Sequence, residues 1–79
     1  MSVEADIEVD ARGRLCPLPI IDLARAARHA EAGALIDLVA DDPAAASDVA
    51  AWCSMRGHTL VSSEPFDAEA TVYRVRLHA

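Results

Sequence analysis

Between residues 5 and 11 the chain reads ADIEVDA, with Ile7 and Val9 alternating against Asp6, Glu8 and Asp10. A period of two marks a strand with one buried and one wet face, so this segment predicts the first strand. After Pro19 the period changes, and Ile20, Leu23, Ala24 and Ala27 recur at helical spacing while Asp22, Arg25 and Arg28 fall elsewhere. The pattern predicts a helix running to about Glu31, with Gly33 as its stop.

A second alternating segment, ALIDLVA (34–40), places Ile36 and Leu38 on one face and Asp37 on the other. The stretch DDPAAASDVAAWCSMRG then carries helix punctuation: Asp42 as cap, Pro43 in the first turn where its missing N–H is harmless, and Gly57 at the end. Its inward stripe reads as Ala46, Val49, Ala50 and Cys53, with Trp52 on the flank nearest Val49. HTLVSS (58–63) and ATVYRVRLHA (70–79) predict two further strands, joined as a hairpin by a polar segment containing Glu64, Pro65, Phe66 and Asp67. In the last strand Tyr73, Val75 and Leu77 share the buried face, and Arg74, Arg76 and His78 the wet one. The order is therefore βαβαββ. Right-handed crossovers place both helices on one side, giving a two-layer α/β sandwich with a four-stranded mixed sheet, one domain over residues 1–79. If strands one and two run parallel, Cys16 and the Asp41/Asp42 turn should fall at the same rim, where open α/β sheets tend to place active groups.

Composition narrows the possible functions. A chain of 79 residues buries only roughly 60% of its unfolded surface, enough for one small core. The apolar share is 53%, but much of it is alanine and the only aromatics are Trp52, Tyr73 and Phe66, so the helices should pack closely on the sheet. A formal charge of -6 disfavours direct nucleic-acid binding, which needs clustered cations to displace counterions from phosphate. All seven basic residues are arginine, which removes any lysine Schiff-base chemistry. Glu4, Asp6, Glu8 and Asp10 are the opposite of a secretory opening. No apolar run approaches the ~18 residues of a membrane span, so the expectation is a cytoplasmic protein with no membrane role. His29, His58 and His78 show no ligand spacing with either cysteine, so no metal site is expected. His29 and His58 read as capping or surface groups, and Arg74 and Arg76 as a solvated face.

Cys16 and Cys53 read as free thiols in a reducing compartment. Cys53, mid-helix on the apolar stripe, reads as packing. Cys16 lies just before the first helix, where unsatisfied N–H groups and the positive end of the helix dipole favour thiolate. Arg12 and Arg14 would push the same way, and Asp41 and Asp42 against it. Pro17 and Pro19 stiffen the turn. Two roles remain open on this reading: an outward-held nucleophile, or a small buried hydrophobe at a strand-to-helix junction.

Cys16, Pro17, Leu18 and Pro19 form a CPxP motif opening the first helix, and in this the chain resembles the TusA/SirA-like sulfur-carrier family. The likeness extends through VDARGRLCPLPII, ADDPAAASDVAAWC and GHTLV. One departure is Leu15, standing where the family often has a polar or basic residue. The resemblance implies a βαβαββ fold with sheet order 1-2-4-3 and a cysteine, here Cys16, that carries sulfur as a persulfide without a cofactor. Arg12, Gly13, Arg14, Pro17, Pro19, Asp41, Asp42 and Pro43 would be the motif or supporting positions. The implied partners are a sulfur-donor protein, a cysteine desulfurase or rhodanese-like protein, and a sulfur-acceptor protein. A docking module with a structural Cys16 is the alternative.

Overall fold

The structure is a computed structural model that describes residues 4–78. Its elements run β1 (Ile7–Asp10), α1 (Leu18–Arg28), β2 (Leu35–Ala40), α2 (Ala45–Arg56), β3 (Thr59–Pro65) and β4 (Thr71–Arg76). Ala79, the last residue of the predicted fourth strand, lies outside the described residues. The strands form one sheet in the order β1-β2-β4-β3. β1 pairs parallel to β2, with Ile7 opposite Ile36 and Val9 opposite Leu38. β4 pairs antiparallel to both β2 and β3. This is the predicted mixed four-stranded sandwich.

The core lies between the sheet and the two helices. Leu23 from α1, Ile36 and Leu38 from β2, Val49 from α2 and Val75 from β4 are fully enclosed, and Trp52, Cys53, Tyr73 and Leu77 close the cluster. On the opposite face, Arg74 binds Asp37 through two hydrogen bonds of 2.8 and 2.9 Å. Cross-strand neighbours on the open side of β2 and β4 are thereby tied together.

Three local expectations are corrected. The first helix ends at Arg28, not near Glu31: His29 caps it, donating its N–H to the Ala26 carbonyl, and the Ala30 N–H follows on the Ala27 carbonyl. Gly33 instead serves the turn into β2. The inward stripe of α2 is Ala45, Val49, Trp52 and Cys53, while Ala46 and Ala50 are exposed. The helix rotates toward its largest apolar side chain, because an indole removes far more surface from water than two alanines. The third strand extends to Pro65, and its pairing skips Val61 at a bulge, leaving that side chain half-exposed. Gly57 ends α2 in the left-handed region, at φ 73°, as its place after the helical pattern requires.

Candidate functional site

The parallel pairing of β1 and β2 brings their C-terminal ends together. Ala11 continues the ladder through an N–H···O bond of 2.8 Å to Val39. The loop after β1 (residues 11–17) and the turn after β2 (41–44) therefore lie side by side, and the second holds the first. The Asp41 carboxylate accepts the Gly13 N–H at 3.0 and 3.1 Å. Gly13 has φ +80°, a conformation L side chains rarely adopt. Asp42 accepts the Cys16 N–H through Oδ2 and the Ala44 N–H through Oδ1, the latter at 3.0 Å. Both carboxylates are thus spent on backbone donors of the rim. The expected capping role of Asp42 takes this form, a turn ahead of α2, which itself begins at Ala45. Pro43 is an exposed residue of that turn.

Cys16 itself sits in a turn closed by the Leu18 N–H on the Leu15 carbonyl at 2.8 Å. Pro17 follows as the N-cap of α1, and Pro19 is buried in its first turn. Cys16 is exposed, whereas Cys53 is buried, and both are free thiols. Beside Cys16 opens a cavity of about 220 Å³ lined also by Ile20 of α1 and by Asp48, Ala51, Trp52 and Met55 of α2. Around it the surface is apolar: Leu15 is 71% and Met55 78% exposed, with Leu18 and Ile21 nearby. Clustered exposed apolar side chains are characteristic of contact surfaces.

The electrostatics differ from the sequence reading. Arg12 and Arg14 do not promote thiolate at Cys16, because local carboxylates occupy them. Arg12 binds Asp10 through two side-chain hydrogen bonds, 2.7 and 2.9 Å, lies 3.9 Å from Asp67 and stacks 5.0 Å over the Phe66 ring. Arg14 pairs with Asp22 at 2.6 Å. The thiol pKa is raised above its ordinary value, first by a hydrogen bond to the Asp48 carboxylate, then by desolvation and by the negative charge of Asp48 and Asp42. This direction opposes the push toward thiolate expected from the helix dipole and agrees with the opposing push expected from Asp42. Asp48 was not among the sequence candidates. Its signal was present in the spacing, since Asp48, Ala51, Trp52 and Met55 form an i, i+3, i+4, i+7 stripe on α2.

The Asp10–Arg12 contact sets an acid response. The side-chain hydrogen bonds from Arg12, then its backbone N–H, lower the Asp10 pKa from 3.8 to about 2. Asp67 is lowered by the backbone N–H groups of Glu69 and Ala70 and then by Arg12. A carboxylate whose folded pKa is depressed contributes stability that is present above its unfolded pKa and lost as pH falls through the folded one. Urea midpoints should therefore decline as pH drops from 3.8 toward about 2, and Asp10→Asn should flatten that decline. Equal acid slopes in parent and variant would contradict it.

Among the described residues no group of three or more His, Cys, Asp or Glu is placed to hold a metal ion, and no helix is long and apolar enough to cross a membrane. A family model described as Sulfurtransferase TusA matches residues 7–77. Among solved structures, a SirA-like protein from Desulfitobacterium hafniense superposes with a TM-score of 0.79 at 22% identity, over 92% of this chain and 99% of that one. At that identity the superposition establishes the shared fold.

Proposed function

This chain belongs to the TusA sulfurtransferase family, and from that premise we propose that Cys16 is its sulfur-bearing residue, accepting a persulfide sulfur from a donor protein and passing it to an acceptor in a relay. The observation that carries this reading is an exposed thiol on a turn pinned by Asp41 and Asp42, beside an apolar cavity. The chemistry is a thiol–persulfide exchange. The Cys16 sulfur attacks the outer sulfur of the donor persulfide, the donor's S–S bond breaks, and its inner sulfur leaves as thiolate. The proton released by Cys16 is taken up by that leaving thiolate, so no external oxidant or reductant is consumed. In the second half, an acceptor thiolate attacks the outer sulfur of the Cys16 persulfide and Cys16 leaves.

A donor of the cysteine desulfurase or rhodanese-like class would serve, and a thiolation, cofactor-assembly or sulfur-oxidation protein would receive. The working compartment is the cytoplasm, whose reducing poise keeps such thiols free. A merely structural Cys16 is opposed by its exposure, since packing cysteines are buried as Cys53 is. Incubation with a cysteine desulfurase and free cysteine should add one sulfur atom to the intact mass, mapped to Cys16, reversed by dithiothreitol and prevented by prior alkylation. A mass that never changes with active donor present would remove this reading.

A further inference from the structure

Of the three aspartates Asp41, Asp42 and Asp48 at this rim, one has no backbone N–H or arginine partner among the described residues. Asp41 spends its oxygens on Gly13, and Asp42 on Cys16 and Ala44. Among the described residues Asp48 forms no ion pair and accepts no backbone N–H, yet it lines the same cavity as Cys16. Its position on the first turn of α2 places a negative charge at the edge of an otherwise apolar cavity. The remaining charged groups near the thiol are Asp42, in the turn before α2, and the Arg14–Asp22 pair on the side of α1. No cation among the described residues balances Asp48.

We propose that Asp48 is a positioning and specificity residue of the Cys16 site: across the cavity that both residues line, its carboxylate favours sulfur donors that bring a positive charge to the cavity mouth. The inference rests on Cys16 being the sulfur-bearing residue and adds which donors it prefers. A cation arriving over Asp48 offsets the charge that opposes ionisation of the thiol, so the sulfur becomes nucleophilic when a matching donor is in place. An anionic donor meets Asp48 and Asp42 with like charge and is disfavoured. In the free protein the nearby negative charge makes the thiol less reactive toward electrophiles that bring no cation, because thiolate is the attacking species.

Two reagents of opposite charge test this without a protein partner. The ethyltrimethylammonium and ethylsulfonate methanethiosulfonates react alike: the Cys16 sulfur attacks the reagent's sulfenyl sulfur, a mixed disulfide forms and methanesulfinate leaves. Rates at Cys16 are read by peptide mass mapping, together with the pH profile of iodoacetamide alkylation. The parent should prefer the cationic reagent severalfold. Asp48→Asn should reduce that preference severalfold, move the alkylation inflection to lower pH and speed alkylation at neutral pH. Glu31→Gln, distant at the end of the α1 side, should change neither reading. Asp48→Ser, also small and polar in the first turn of a helix, should reproduce Asp48→Asn and covers the case in which Asp48→Asn folds poorly by circular dichroism. A charge preference and pH profile unaffected by loss of Asp48 would overturn the proposal. Sulfur loading of the parent is measured separately, so a parent that takes no sulfur removes the relay reading, while the reagent rates still decide what Asp48 does to the thiol.

Discussion

Cys16→Ser should fold like its parent and take up no sulfur. The backbone N–H at residue 16, which binds Asp42, is unchanged by the substitution. The side chain is exposed and outside the core cluster, so the stability change should stay within about 0.5 kcal/mol. A serine hydroxyl beside Asp48 has neither the acidity nor the nucleophilicity of sulfur, and loss of loading should be complete. Cys53→Ala should show the converse. Cys53 is buried at 3% exposure and burial pushes its thiol pKa up, so it is inert toward exchange. Its replacement should lower the unfolding temperature yet leave loading intact. Intact mass after donor treatment and a thermal melt read both variants. Sulfur still bound to the Cys16→Ser protein, mapped to Cys53, would transfer the carrier role to the buried thiol.

The sheet was legible because alternation is a local property. Ile7 and Val9, Ile36 and Leu38, and Tyr73, Val75 and Leu77 declare their face within their own strands, and the order of elements then restricts the topology. α2 was harder to read, because alanine is apolar enough to fit any stripe. Only packing against α1 and the sheet shows that Trp52 turns inward and that Ala46 and Ala50 do not. At the site, the CPxP turn and the two aspartates after β2 were visible because each element marks its own end. The thiol's electrostatics were not, since they depend on which face of α2 meets the loop after β1. The mistaken role for Arg12 was correctable in principle. Asp10 ends β1 and Arg12 follows two residues later in the turn, its N–H and guanidinium both on the Asp10 carboxylate, where a local ion pair competes with any longer reach toward Cys16. The Arg14–Asp22 pair, by contrast, spans the turn into α1 and needed the structure.

Leu38→Ala should destabilise the fold more than any substitution at the rim, and so separate scaffold from chemistry. Leu38 lies at the middle of β2, fully enclosed, opposite Val9 on one side and Tyr73 on the other. Removing its side chain forfeits the transfer free energy and leaves a void that a paired central strand cannot close, at a cost of about 2–5 kcal/mol. Small domains hold only roughly 5–15 kcal/mol in total, and for a chain of this size each 1 kcal/mol moves Tm by about 4–8 °C. A fall in Tm of at least about 8 °C is expected. The same strand ends at Asp41 and Asp42, yet their bonds to Gly13 and Cys16 remain in the folded fraction. Sulfur loading measured well below the lowered Tm should therefore match the parent per folded molecule, while loading at temperatures within the shifted transition should fail. A variant that melts like the parent would mean that β2 does not organise the core as described. One that stays folded but cannot load would mean that the rim depends on more than its two aspartates.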